Sequence, residues 1–132
     1  YANKLLAYAY LLTHDGYPTI FYSDYENESF KPQIKKLIQI YNTIATGDVE
    51  IIEANENEYI MKRAGNGNNP GLILYMNISD KSRQYDVSTN WTNQKIVDYS
   101  DNSKFTPTTD TNGDVTIYVP AKSYSIWSIG KN

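Results

Sequence analysis

The spacing of apolar residues along the chain changes character once. Residues 2–13, ANKLLAYAYLLT, are apolar on nearly all sides of a helix, which predicts an element packed between neighbours and not one on a free surface. Asp15 and Gly16 break that run. Residues 18–22, PTIFY, read as a short strand buried on both faces, as in a parallel sheet covered by helices, and the polar loop SDYENES follows. In the next segment Phe30, Ile34, Leu37, Ile38, Tyr41, Ile44 and Ala45 recur at three-and-four spacing, while Lys31, Gln33, Lys35, Lys36, Gln39 and Asn42 face away. Pro32 suits the first turn of this helix and Gly47 its C-terminal stop.

Beyond Gly47 the period becomes two residues. Strands are predicted over 49–54, 58–63, 71–77, 83–87, 95–99, 114–119 and 124–129, separated by turn-rich links such as GNGNNPG and TDTNGD. The chain therefore divides into residues 1–47, with the helix, buried strand, loop and helix rhythm of an α/β barrel or doubly wound sheet, and residues 48–132, an antiparallel β-sandwich of Greek-key type. One strand cannot make a barrel or a doubly wound sheet. The chain also opens without an initiator methionine or a polar approach to its first helix, so the expectation is a cut through a larger protein.

Composition narrows the partners. The 132 residues carry 12 Lys and Arg against 15 Asp and Glu, a net charge of -3 with no basic face, so nucleic acid is not an expected partner. The longest apolar stretch, residues 5–12, falls far short of the roughly 18 residues that suggest a membrane span, so no membrane partner is expected. The absence of cysteine excludes disulfides and thiolate metal sites without choosing a compartment. Thirteen tyrosines and frequent asparagine suit sugar binding as well as half-buried strands and polar turns.

The segment LLAYAYLLTHDGYPTIFYSDYE resembles the end of the catalytic barrel in α-amylases of the glycoside hydrolase clan, where an apolar helix leads into a Gly-x-Pro segment and an aromatic eighth strand. Gly16, Pro18, Phe21 and Tyr22 match that pattern, whereas Ser23 stands where many members have glycine. FKPQIKKLIQIYNTIATGDVEII is similar to the final barrel helix, and the β-rich remainder resembles the small C-terminal domain of those enzymes. The fold implied is the last β/α unit of a TIM-type barrel followed by an antiparallel β-sandwich. The activity implied for the parent is retaining endo-hydrolysis of α-1,4-glucan in starch or glycogen, with this segment mainly structural. A stand-alone starch-binding or structural module, and a related maltogenic amylase or transglycosylase, are the alternatives. The upstream barrel and an α-glucan are the implied partners, and a secreted or cell-envelope bacterial setting is the expectation for the parent.

The resemblance also bears on His14 and Asp15. The family's Asn-His-Asp motif precedes the helix corresponding to residues 2–13, whereas His14-Asp15 follows it. Barrel geometry separates the two independently, because active sites lie at the C-terminal ends of strands and helix-to-strand loops lie at the opposite face. A turn and helix-end role is therefore expected for His14 and Asp15. Retaining hydrolysis needs two carboxyl groups about 5 Å apart. By resemblance those groups precede Tyr1, so no catalytic residue is assigned to this chain.

Asp24 and Tyr25 follow the predicted barrel strand and are candidates for the outer substrate cleft, while Glu26 and Glu28 read as a solvated loop. Trp91 is the candidate for an exposed sugar contact; Trp127 is expected inside the sandwich. Calcium is implied for the parent by resemblance, at upstream sites. Asp101, Asp110 and Asp114 read as turn residues, and no metal site or cofactor is assigned to this chain.

Overall fold

The computed structural model describes residues 2–14, 16, 20, 24 and 26–130. Among the described residues the elements in chain order are helices α1 (Ala2–Thr13) and α2 (Lys31–Thr43) and strands β1 (Val49–Ala54), β2 (Glu58–Arg63), β3 (Leu72–Asn77), β4 (Arg83–Ser88), β5 (Ile96–Asp98), β6 (Asp114–Val119) and β7 (Ser123–Ile129). All seven predicted strands are present, with ends displaced by one residue or less. Of the barrel strand expected over residues 18–22 only Ile20 is among the described residues, and Asp15, Pro18, Phe21, Tyr22 and Tyr25 lie outside them.

Helix α2 starts where the Asn27 carbonyl accepts the Phe30 and Lys31 N–H groups, with Pro32 in the first turn. It ends at Ile44, whose N–H donates to the Ile40 carbonyl. Gly47 is not the helix stop the sequence suggested. Its φ is +86°, and a Cβ there would stand 2.2 Å from the Gly65 carbonyl oxygen, so glycine is required by a backbone crossing. The buried stripe also differs slightly from expectation. Ile34, Leu37, Ile40 and Ile44 form it, with Ile40 added and Ile38 and Tyr41 turned to its flanks.

Five strands form one antiparallel sheet in the order β1-β2-β3-β7-β5, and β4 pairs with β6 in a second, two-stranded sheet. From β3 onward the chain alternates between the sheets, β3 and β5 and β7 in the larger and β4 and β6 in the smaller. Because successive strand residues point to opposite faces, the larger sheet has two buried sides. Met61, Leu72, Leu74, Tyr124 and Ile126 face the helices. Ile60, Ile73, Tyr75 and Trp127 face the smaller sheet, meeting Val87, Val115, Ile117 and Val119. The molecule is thus layered as helices, sheet, sheet.

Residues on both sides of Gly47 share the helix-side core, since Leu6, Ala9, Leu12, Ile34 and Leu37 pack with side chains of β2, β3 and β7. The apolar surround expected for α1 is only half supplied here. Leu6 and Leu12 are buried and Leu5 is half-buried, but Tyr10 and Leu11 are each 43% exposed. Among the described residues no helix is long and apolar enough to cross a membrane.

Candidate functional site

The end of α1 carries the sequence's one histidine. Helix C-termini leave carbonyls without intrahelical donors, and a positive charge or N–H donor there is favourable. His14 Nδ1 lies 2.6 Å from the Tyr10 carbonyl oxygen, which can only accept, so Nδ1 carries a proton. Its Nε2 is 2.7 Å from the Tyr59 hydroxyl on β2, and the imidazole stacks on the Tyr10 ring at 3.7 Å between centroids. Burial and the neighbouring Tyr10 push the Tyr59 hydroxyl up to about 12. Arg63, also on β2, donates from Nη1 to the Thr13 carbonyl at 2.7 Å and from Nε to the Gly47 carbonyl at 2.9 Å. His14 therefore has the helix-end role expected of it, as part of a clamp that fixes α1 to β2.

Asp24 is buried at 5% exposure and faces the other end of α1. Its Oδ1 accepts from Lys4 Nζ at 2.7 Å and its Oδ2 from the Tyr8 hydroxyl at 2.6 Å. Lys4, then Tyr8, hold the carboxyl below the usual aspartate range. Both oxygens are therefore engaged with α1. Glu26 and Glu28 are exposed to solvent. Gly16 is exposed at φ +106°, a turn conformation suited to glycine, and its carbonyl accepts from the Tyr41 hydroxyl at 3.3 Å.

Trp91 does not offer the open ring expected of a sugar contact. It is 9% exposed, packs with the sandwich core and donates its indole N–H to the Pro70 carbonyl at 3.1 Å. The turn STNWTNQ points it inward because Thr89 Oγ1 accepts the Trp91 N–H at 3.0 Å. Trp127 is fully buried between the sheets as expected, with its indole N–H on Ser125 Oγ at 2.8 Å. Tyr75 and Tyr124 are buried too. Asp110 accepts the Asn112 and Asp114 N–H groups within its own turn, Asp114 accepts from the Ser88 hydroxyl, and Asp101 pairs with Lys36. Among the described residues no three His, Cys, Asp or Glu side chains come together to hold a metal ion.

Two buried carboxylates escaped the sequence reading. Glu58 Oε1 accepts from the Tyr75 hydroxyl at 2.6 Å and from Arg83 Nε at 3.2 Å, while Oε2 accepts from Arg83 Nη2 at 3.1 Å. Burial opposes its ionisation, but Arg83, Tyr75 and Asn55 together outweigh burial and hold the carboxyl below its usual range. Asp98 instead accepts from N–H and O–H donors: Ser100 N–H and hydroxyl, Asn102 N–H, Ser103 N–H and Ile126 N–H, all between 2.6 and 2.9 Å. Burial dominates there and pushes the carboxyl up. Asp98 is the last residue of β5, paired with Trp127 in the β7 ladder, and its side chain takes the Ile126 N–H one position further along β7. The third feature is an exposed ring. Phe105 is 60% exposed and stacks on Tyr118 at 4.4 Å.

Two helices laid on a largely antiparallel double sheet, with most charged and polar side chains near the core engaged in internal struts, define a structural domain. Residues 72–128 match the family described as alpha-amylase C-terminal. Across 96% of its length the chain is 26% identical to the cytoplasmic alpha-amylase of Escherichia coli (strain K12), of which it spans 29%. Its fold is also that of the Anoxybacillus alpha-amylase over 99% of this chain and 33% of that one, with a TM-score of 0.79 at 12% identity. The gamma-CGTase of the alkalophilic Bacillus clarkii matches 98% of this chain and 23% of that one, with a TM-score of 0.70 at 21% identity. The chain thus spans about a third or less of these proteins.

Proposed function

We propose that this chain is the C-terminal portion of a longer α-amylase-like glycoside hydrolase that cleaves internal α-1,4-glucosidic bonds of starch or glycogen with retention. In this reading residues 1–47 complete the catalytic barrel with its eighth strand and final helix, and the β domain scaffolds it. The observation that carries the reading is the end-to-end likeness, helices included, to about a third of alpha-amylases. The half-exposed Tyr10 and Leu11 on α1 support it, because an upstream barrel would cover that face.

Asp24, with Tyr25, borders the outer substrate cleft in this reading, its orientation fixed by Lys4 and Tyr8. Catalytic carboxylates and calcium, the latter implied by resemblance alone, belong to the upstream part. A transglycosylase parent is the second reading, favoured by the likeness to the gamma-CGTase.

Denaturing mass spectrometry together with a reducing-end assay on soluble starch tests the proposal. The 15.1 kDa chain alone is expected to release nothing, and the longer protein carrying it to release α-anomeric products. Turnover by the pure 15.1 kDa chain would overturn the proposal. Cyclic products from the longer protein would favour the second reading.

A further inference from the structure

Most aromatic rings near the two cores are buried or half-buried, but Phe105 is not. It sits in the loop between β5 and β6, with one face on Tyr118 and 60% of its surface open. Tyr118 is on the outward face of β6, since Val115, Ile117 and Val119 point into the sandwich. Its cross-strand partner is Gln84 of β4. Phe105, Tyr118, Gln84 and Lys104 line a surface groove of about 510 Å³. Gln84 and Lys104 are exposed, and neither side chain is held in a hydrogen bond among the described residues.

We propose that this groove is a secondary binding site for α-1,4-linked glucose oligomers, with Phe105 as the stacking platform. A pyranose presents C–H groups on its faces and hydroxyls at its rim, so it needs an aromatic ring with hydrogen-bonding groups beside it. Phe105 supplies the ring, stiffened from behind by Tyr118, and Gln84 and Lys104 supply donors and an acceptor at its edge. Arg83, on the same wall, is already paired with Glu58, which leaves Lys104 as the one lining charge without an ion-pair partner, where a polyanion would need several. The choice of α-glucan rests on the hydrolase reading above. The site would hold a polymer on the β domain, separate from the cleavage cleft that reading places upstream.

Native gel electrophoresis of the intact protein that carries this chain, with and without amylopectin in the gel, tests the site. Amylopectin is expected to retard the wild type; F105A is expected to weaken the apparent affinity about tenfold, and F105W to restore it. Because Phe105 is exposed, F105A should melt with the wild type; Q84A, on the facing strand, gives an independent and smaller loss. Retardation unchanged in F105A would overturn the proposal, as would absent retardation or equal retardation by a β-1,4-glucan. Starch hydrolysis by the wild type, assayed separately, distinguishes the two readings. Hydrolysis with Phe105-independent retardation removes the site alone, and Phe105-dependent retardation without hydrolysis removes the hydrolase reading alone.

Discussion

The two faces of the five-stranded sheet are covered in different ways. On one face β4 and β6 close a core around the fully buried Trp127, Tyr75, Ile60 and Ile73, and the antiparallel β4–β6 pairing holds the cover in register. On the other face the helices bring Leu12, Ile34 and Leu37 to the sheet, but their orientation is fixed by polar struts: Arg63 and the His14–Tyr59 contact at one end of α1, Lys4–Asp24 at the other, and Lys36–Asp101 on α2. Apolar contact is not directional, whereas hydrogen bonds to helix-end carbonyls are. The sandwich therefore stands as a unit closed by its own chain, and the helix layer is the side built to be aimed.

Trp127→Ala tests the closed face and carries the largest expected effect, about 3–5 kcal/mol of stability by urea unfolding, because it leaves a cavity at the sandwich centre. Arg63→Met keeps the side-chain bulk but strips the Thr13 and Gly47 carbonyls of their donors. A loss of about 2–3 kcal/mol is expected, with hydrogen exchange rising first in α1. A loss confined to the sandwich strands would erase the proposed contrast between the faces.

Acid titration sharpens the same comparison through Glu58 and Asp98. Glu58 has a depressed folded-state pKa, so its contribution is fully present above its ordinary value of 4.5 and is lost as pH falls through the lower folded value. Asp98 has a raised one, so its contribution has the opposite sign, present below the ordinary 3.8 and lost as pH rises through the folded value. Melting temperature followed from neutral pH downward should therefore fall less steeply in Glu58→Gln than in the wild type. Leu11→Gln carries the smallest effect. Its outward position predicts a change within about 0.5 kcal/mol for this chain, but a lowered melting temperature in the longer protein if a barrel covers it.

The strands and helices were legible because their periods are local. β7 shows how far that reaches: Tyr124 and Ile126 alternate with Trp127, and the structure gives the two faces to separate cores, with Trp127 inside the sandwich as expected. Gly47 was misread because its reason is the Gly65 backbone, far along the chain. Trp91 was misread because a turn position says nothing about which way a hydroxyl two residues earlier directs the ring. Asp98 had a local sign, an aspartate followed by Ser100, Asn102 and Ser103 that can donate back to it, of the kind that marks Asx turns. Glu58 had none, since Tyr75 and Arg83 lie 17 and 25 residues away. The Phe105–Tyr118 pair was hidden for the same reason, because the loop that presents the ring belongs to neither periodic pattern.

The position of β7 also governs how the domain comes into being. It is the latest of the described strands to leave the ribosome, yet it lies between β3 and β5 and contributes to both cores. Until residues 123–129 emerge, β3 remains an open edge, and neither the helices nor β4 and β6 have a finished surface to settle on. A nascent chain of this domain must therefore wait with apolar surface exposed, the state in which chaperones engage and aggregation begins. A message truncated before Ser123 would yield a product that cannot close either core.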